Sequence, residues 1–309
     1  MTKVFVDGSS GTTGLKIVDR LSKRSDIELI KLSDELRKDV NAKKDAINSA
    51  DVVFLCLPDA AAIESVSLVE NKNVCVIDTS TAHRTNDNFA YGFAEVNDLR
   101  SKIQSSNLIA NPGCHASGFI SLVAPLVRAG LINTDVKLSC FSLTGYTGGG
   151  KKMIAQYEEG GNVDLEAPRQ YGLTQMHKHL PEMTKICGID NAPIFCPIVA
   201  PFAQGMEVTV PLFKSDLRGN IKDIIELYKS VYTTKLVHFD EVNEEGFLTS
   251  NKYANYDDMG VSVYGNDDRI ILVSRFDNLG KGASGAAIQN MNIHLGLKEE
   301  ESLNIKGAN

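Results

Sequence analysis

Short apolar runs separated by amphipathic stretches fill the first third of the chain, and longer runs fill the remainder. Val4-Phe5-Val6, Ile27 to Leu32, Val52 to Leu57, Val74 to Asp78 and Leu108 to Ala110 read as buried strands. Between the first two, Leu15, Ile17, Val18 and Leu21 recur at helical spacing. Strand alternating with helix predicts an α/β fold, with a Rossmann-type, doubly wound parallel sheet forming a dinucleotide-binding domain over residues 1–113. From Cys114 to Ala129 the apolar positions Phe119, Ile120, Leu122, Val123, Leu126 and Val127 predict a helix. Beyond it, Val136 to Leu143, Ile194 to Val199, Met206 to Lys214 and Arg269 to Ser274 predict a mixed or antiparallel sheet. These strands are expected to form an α+β domain over residues 114–282 that provides the substrate side of a cleft. A last helix, Ser284 to Leu297, apolar on one face, is expected to pack back on the first domain, so that 283–309 form a C-terminal helix and tail. The run Lys298 to Asn309 is polar and reads as loosely held.

Composition narrows the functional class. A chain of 309 residues with 43% hydrophobic content can bury two cores. A net charge of −7 with dispersed lysines and arginines argues against nucleic-acid binding. No apolar stretch approaches the roughly 20 residues of a membrane span, and no signal-peptide pattern is present, so a cytoplasmic protein is expected. The six cysteines (56, 75, 114, 140, 187 and 196) show no Cys-x-x-Cys spacing. They read as reduced thiols, with neither a disulfide framework nor a metal site.

Two motifs carry chemistry. Asn111-Pro112-Gly113-Cys114 places a cysteine at the first turn of the apolar helix, near its positive dipole end, a position that lowers a thiol pKa and favours a nucleophile. The competing reading is a buried cysteine that fills space. Gly8-Ser9-Ser10-Gly11-Thr12-Thr13-Gly14 joins the first strand to the first helix. Glycines admit a pyrophosphate close to backbone, and the helix N-terminus supplies amide donors. The spacing is Gly-x-x-Gly-x-x-Gly, so an ordinary strand-to-helix turn is the alternative. After the second strand, Ser33, Arg37 and Lys38 suit a 2′-phosphate and lean toward NADP, whereas Asp34 suits the free ribose of NAD. A solvated helix start explains the basic pair equally well.

Proton transfer and anion recognition have their own candidates. His177-Lys178-His179-Leu180-Pro181-Glu182 sets two histidines and a carboxylate within six residues, and spacing does not decide which histidine works. His-x-His without a convincing third ligand is weak for zinc. His115 should point to a different helix face from Cys114. His83, His238 and His294 read as structural or solvated. Arg84, after the Asp78 strand end, can fork to a phosphate or carboxylate. Thr144-Gly145-Tyr146-Thr147-Gly148-Gly149-Gly150-Lys151 offers amides, hydroxyls and an ammonium to an anion. Together these parts define a reaction: a thiolate attacks an activated acyl group, an oxyanion such as phosphate departs, and a nicotinamide reduces the thioester to an aldehyde.

The same residues resemble the N-acetyl-gamma-glutamyl-phosphate reductases of arginine biosynthesis, in their short form, over nearly the whole chain. The nucleotide loop, Asn111-Pro112-Gly113-Cys114, His177 to Glu182, Tyr91-Gly92-Phe93-Ala94-Glu95 and Lys281-Gly282-Ala283-Ser284-Gly285-Ala286-Ala287-Ile288-Gln289-Asn290-Met291-Asn292 are similar to that family's segments. The resemblance implies an NADPH-dependent reductase with the glyceraldehyde-phosphate and aspartate-semialdehyde dehydrogenase architecture, acting on a small acyl phosphate as a homodimer or homotetramer. It implies Cys114 as nucleophile and His177 or His179 as acid/base. Gly8 to Gly14 would cradle the pyrophosphate, with Ser33 and Arg37 farther along the cofactor, and Gly282, Ser284 and Asn290 near the nicotinamide. Arg84, Asn111, Lys151 and Glu182 would contact substrate. Lys151 stands where the longer form often has arginine, and Phe93-Ala94 replaces Leu-Pro, which leaves individual substrate contacts open. Aspartate-semialdehyde dehydrogenase is the rival enzyme, though its nucleophile typically lies in Asn-Cys-Thr. A redox-responsive dinucleotide sensor is the non-catalytic alternative.

Overall fold

The structure, a computed structural model, describes residues 1–33, 35–241 and 246–306. It divides into two compact units: one holds residues 1–94, 98–112 and 283–303, the other 95–97, 113–282 and the tail from Asn304 onward.

In the first unit the predicted alternation is realised. Strand β1 (Thr2–Asp7) leads through the glycine loop to α1 (Thr12–Leu21) and β2 (Ile27–Ile30). Then come α2 (Val40–Ser49), β3 (Val52–Leu55), α3 (Asp59–Ser67), β4 (Cys75–Asp78), β5 (Ala90–Tyr91), α4 (Leu99–Ser105) and β6 (Leu108–Ala110). The strands pair in the order β2-β1-β3-β4-β6-β5, parallel throughout. Because side chains alternate across a strand, Val4, Val6, Val52, Phe54 and Ile77 build one apolar layer, and Phe5, Val53, Leu55 and Val76 build the other.

The second unit opens with α5 (Cys114–Arg128), followed by β7 (Ser139–Gly145), α6 (Gly150–Glu159), β8 (Arg169–Gln170) and α7 (Leu180–Cys187). Strands β9 (Ile194–Ala200) and β10 (Met206–Phe213), helix α8 (Ile221–Val231) and strands β11 (Val237–Phe239), β12 (Met259–Gly265) and β13 (Arg269–Phe276) complete it. The sheet is mixed, in the order β11-β12-β13-β10-β7-β9-β8, with β11/β12 and β7/β9 parallel and the other pairs antiparallel. Helix α5 crosses β10 and β13 and packs beside α7 and α8.

Pro125 interrupts α5 and cannot donate to the carbonyl four residues earlier, that of Ser121. The Tyr232 phenol replaces the missing donor at 2.5 Å, and Tyr228 donates to the next carbonyl, Leu122. Burial holds both phenols protonated, their pKa values raised well above the ordinary value.

Two expectations are corrected. The last helix, α9 (Gly285–His294), is preceded by a π-turn at Gly280–Ser284 and is buried from Gly285 to Ile293 on every side, not on one face. Its amides pass for surface residues in a pattern but are bonded inside: Asn292 accepts from Arg24 Nη1 at 2.8 Å, and Gln289 donates to Glu299 at 2.6 Å. Nor is the tail loose up to residue 306. The Asp257 amide donates to the Asn304 carbonyl at 2.6 Å, the Asn304 amide donates to Asp257 Oδ2 at 2.8 Å, and the Lys306 amide donates to Asp258 Oδ1 at 3.0 Å.

Tyr232→Phe is expected to destabilise the protein by about 1–3 kcal/mol in urea unfolding, because it leaves the buried Ser121 carbonyl unpaired. In a Pro125→Ala background, where an amide resumes that bond, the loss should shrink; equal losses in both backgrounds would contradict the assignment.

Candidate active site

Cys114 is the first residue of α5, half-buried, with Gly113 as its N-cap. No side chain caps this end. Instead the Gly113 amide donates to Glu182 Oε1 at 2.9 Å, and Glu182 is only 1% exposed. Glu182 stands in the first turn of α7, where a carboxylate is stabilised by the helix dipole. Gly282 closes the other side: a Cβ there would lie 2.9 Å from Cys114 Cβ and 3.3 Å from the Phe276 ring, so only glycine lets the chain pass.

Four other thiols are of another kind. Burial raises Cys56 and Cys75 to about 12 and pushes Cys140 and Cys187 well above the ordinary thiol range. Their proton is held, as expected of space-filling cysteines.

The histidines form a cluster. His177 Nδ1 accepts from the His179 amide at 3.2 Å, and the two rings meet edge to face at 4.7 Å. A neutral His177 therefore carries its proton on Nε2. His115, leaving α5 on a different face from Cys114, belongs to this cluster: its ring lies 5.8 Å from His177 and 5.6 Å from His179. The head of α5 packs beside α7, which brings His115 to the rings that precede that helix. His115 Nδ1 lies 2.6 Å from Ser142 Oγ and Nε2 lies 2.6 Å from the Tyr171 hydroxyl. Burial, and secondarily the neighbouring His177, lowers its pKa to about 3, so the ring is neutral. Burial, and secondarily the Cys114 thiolate charge, raises the Tyr171 phenol.

A supporting network was invisible in the sequence. Asp277, 0% exposed, accepts from the Leu279 and Gly280 amides at 2.7 and 2.9 Å and from Gln204 Nε2 at 2.6 Å, while its carbonyl accepts from the Gly282 amide. Asn278 links the Gly205 amide to Thr147 in the glycine-rich loop. The polar turn Asp277-Asn278 was the signal available. Lys151 stands exposed on the first turn of α6. Lys281 is buried against Glu95, with both carboxylate oxygens at 2.9 Å.

The first unit holds the nucleotide candidates. Gly8 has φ +82°, a conformation that favours glycine, and a Cβ there would strike the Cys56 carbonyl. The turn closes by Gly11 N donating to Gly8 O at 2.9 Å, and α1 begins at Thr12, leaving Ser9 to Thr13 at a helix N-terminus near Gly14. A cavity of about 430 Å³ is lined by Gly8, Ser9, Ser10, Leu32, Arg37 and Lys38, among others. Ser33 bends the chain there, its carbonyl accepting from the Leu36 and Arg37 amides; Asp34 lies outside the described residues. Arg84 is buried, and donates to the carbonyls of Asn111 and Thr79 at 2.9 and 3.0 Å. Asn111 donates to Ala283 O and accepts from Asn290, which also donates to Gly92 O. Asn290 Oδ1 is buried without a partner among the described residues. Ser284 is buried in the π-turn.

These units correspond to known domains. Residues 3–106 match the semialdehyde dehydrogenase NAD-binding domain, and 114–278 match the semialdehyde dehydrogenase dimerisation domain. Aspartate semialdehyde dehydrogenase II of Vibrio cholerae superposes with a TM-score of 0.73 at 16% identity, over 96% of this chain and 98% of that one. The enzyme from Candida albicans, solved with NADP, gives 0.66 at 16% identity, over 95% and 98%. Fold and site thus define an oxidoreductase of the semialdehyde dehydrogenase class. N-acetyl-gamma-glutamyl-phosphate reductases of Brucella ovis and Brucella canis are each 44% identical over 306 residues, 95% of this chain and 99% of theirs. The chain belongs to the N-acetyl-gamma-glutamyl-phosphate reductase family.

The His115 environment has a consequence for acid stability. Between its folded pKa of about 3 and the ordinary 6.5, the unfolded chain binds a proton that the folded chain refuses. Stability present above about pH 6.5 is therefore lost as pH falls toward 3, by up to roughly 1.4 kcal/mol per pH unit. Urea unfolding from pH 7 to 4 should show a shallower acid slope for His115→Phe than for wild type; parallel slopes would contradict a neutral, buried ring.

Proposed function

We propose that this chain reduces N-acetyl-gamma-glutamyl phosphate to N-acetylglutamate 5-semialdehyde with NADPH, as a cytoplasmic enzyme of arginine biosynthesis. The observation that carries this reading is Cys114 at the uncapped head of α5, held by Glu182 and bordered by Gly282.

The Cys114 thiolate attacks the acyl carbon, the carbon–oxygen bond to phosphate breaks, and phosphate leaves with its electron pair. When bound, the nicotinamide supplies the hydride that reduces the thioester carbon. The carbon–sulfur bond then breaks, the aldehyde forms and the thiolate is restored. His177 or His179 handles the proton, with His177 exchanging it at Nε2. Arg84, Asn111, Lys151 and Glu182 are assigned to the substrate side, Glu182 through the Gly113 amide and Arg84 through the Asn111 carbonyl.

The first unit fits a dinucleotide. The Gly8 turn and the α1 N-terminus suit the pyrophosphate, and Arg37 and Lys38 on the cavity wall favour NADP by charge. The partnerless Asn290 Oδ1 suits the amide of a nicotinamide, with Gly282 and Ser284 assigned to the same end. A homodimer or homotetramer is supported by one face of the second sheet, where Phe141, Ile194, Phe213 and Ile271 are 41–65% exposed. Among the described residues no helix is long and apolar enough to cross a membrane.

The reverse direction avoids the unstable acyl phosphate. Phosphate-dependent reduction of NADP is expected with N-acetylglutamate semialdehyde and not with aspartate semialdehyde, and should be lost in Cys114→Ser. Turnover of aspartate semialdehyde would transfer the chain to the rival activity; binding of NADP without turnover of either would favour the sensor.

A further inference from the structure

The buried hydrogen-bond chain Ser142–His115–Tyr171 has a direction that its surroundings determine. His115 is neutral and carries one N–H, yet both ring nitrogens are engaged at 2.6 Å. Exactly two arrangements therefore remain possible. In one, Tyr171 donates to Nε2, and Nδ1–H donates to Ser142 Oγ. The Ser142 hydroxyl is 0% exposed and has no other partner among the described residues. Its proton would then be buried and unpaired, at the full desolvation cost of a hydroxyl donor. In the other, Ser142 donates to Nδ1 and Nε2–H donates to the Tyr171 oxygen, so every buried donor is satisfied. The phenolic proton of Tyr171 is then unused by the protein. Tyr171 is half-buried, its ring 5.9 Å from His177 and its hydroxyl 2.6 Å from Nε2 of His115, the residue after Cys114, and the charge of Cys114 reaches the phenol. Burial also keeps the phenol protonated.

Resting on the reading that Cys114 carries the acyl group, we propose that Tyr171 is a further catalytic residue, donating a hydrogen bond to the acyl oxygen as it becomes an oxyanion, and that His115 and Ser142 are positioning residues that keep Tyr171 a donor. No bond to a heavy atom forms or breaks at Tyr171. Its donor stabilises charge that develops only in the transition state, so its effect falls on kcat.

The test is steady-state kinetics of the full enzyme in the reverse direction, with N-acetylglutamate semialdehyde, phosphate and NADP. Tyr171→Phe should lower kcat about 100-fold with the aldehyde KM within about threefold. Ser142→Ala and His115→Phe should each lower kcat, and should cost nothing further when combined with Tyr171→Phe, because they act through the same hydroxyl. The Cys114 alkylation rate by iodoacetamide reports that the site is intact in each variant. Should His115→Phe fail to fold, the Ser142→Ala and Tyr171→Phe pair gives the same cycle. A Tyr171→Phe enzyme with kcat within twofold of wild type, a change confined to KM, or multiplicative losses would overturn the proposal. A wild type inactive with the acetylated aldehyde defeats the substrate assignment instead, and the same variants are then compared on aspartate semialdehyde, where the same pattern of losses is required.

Discussion

The position of the Cys114 sulfur depends on the hydrogen bond from the Gly113 amide to the Glu182 side chain. An acceptor at 2.9 Å, nearly excluded from water, makes this bond stronger than one at the surface. The carboxylate also lies in the first turn of α7, so it is stabilised by one helix and anchors the start of another. Glu182 takes the amide of the N-cap residue Gly113, and no side chain caps the amides that follow it at the head of α5. The body of α5 is fixed by different means: apolar packing on β10 and β13, and two phenols that satisfy carbonyls around Pro125. Position and reactivity are thus maintained by separate contacts.

Environment sets Cys114 apart from four of the other cysteines. Cys56, Cys75, Cys140 and Cys187 are held as thiols by burial, whereas Cys114 is half-exposed at a helix head. The same logic applies to the histidines. His115 is neutral and engaged at both nitrogens, while the half-exposed His177 accepts at Nδ1 and, when neutral, carries its proton on Nε2. His83 is held by Asp78 at 2.6 Å and stacked on Phe89, a structural role.

Most of the architecture was legible because it rests on local periodicity. Alternating apolar segments specified the parallel sheet, and the longer strands specified the mixed one. The Pro-Gly entry and the spacing of Phe119 to Val127 located the head of α5. What remained hidden depends on contacts between distant segments. No local pattern connects His115 to Ser142 and Tyr171, or Asp277 to Gln204. Helix α9 deceived for a related reason: Gln289, Asn290 and Asn292 resemble a solvated face until their partners Glu299, Gly92 and Arg24 are known. Strand β12 was missed because its glycines and serine dilute the apolar alternation, even though Met259 to Val263 are buried.

The central claim is that Cys114 carries the acyl group. Acid quenching of the enzyme mixed with N-acetylglutamate semialdehyde and NADP, without phosphate, followed by peptide mass mapping, tests it most directly. Oxidation then stops at the thioester, because phosphate is absent to release it. An N-acetylglutamyl adduct on the peptide containing Cys114, formed in proportion to NADPH and discharged when phosphate is added, is the expected result. Reduction of NADP with no adduct on that peptide, or an adduct on another cysteine, would contradict it.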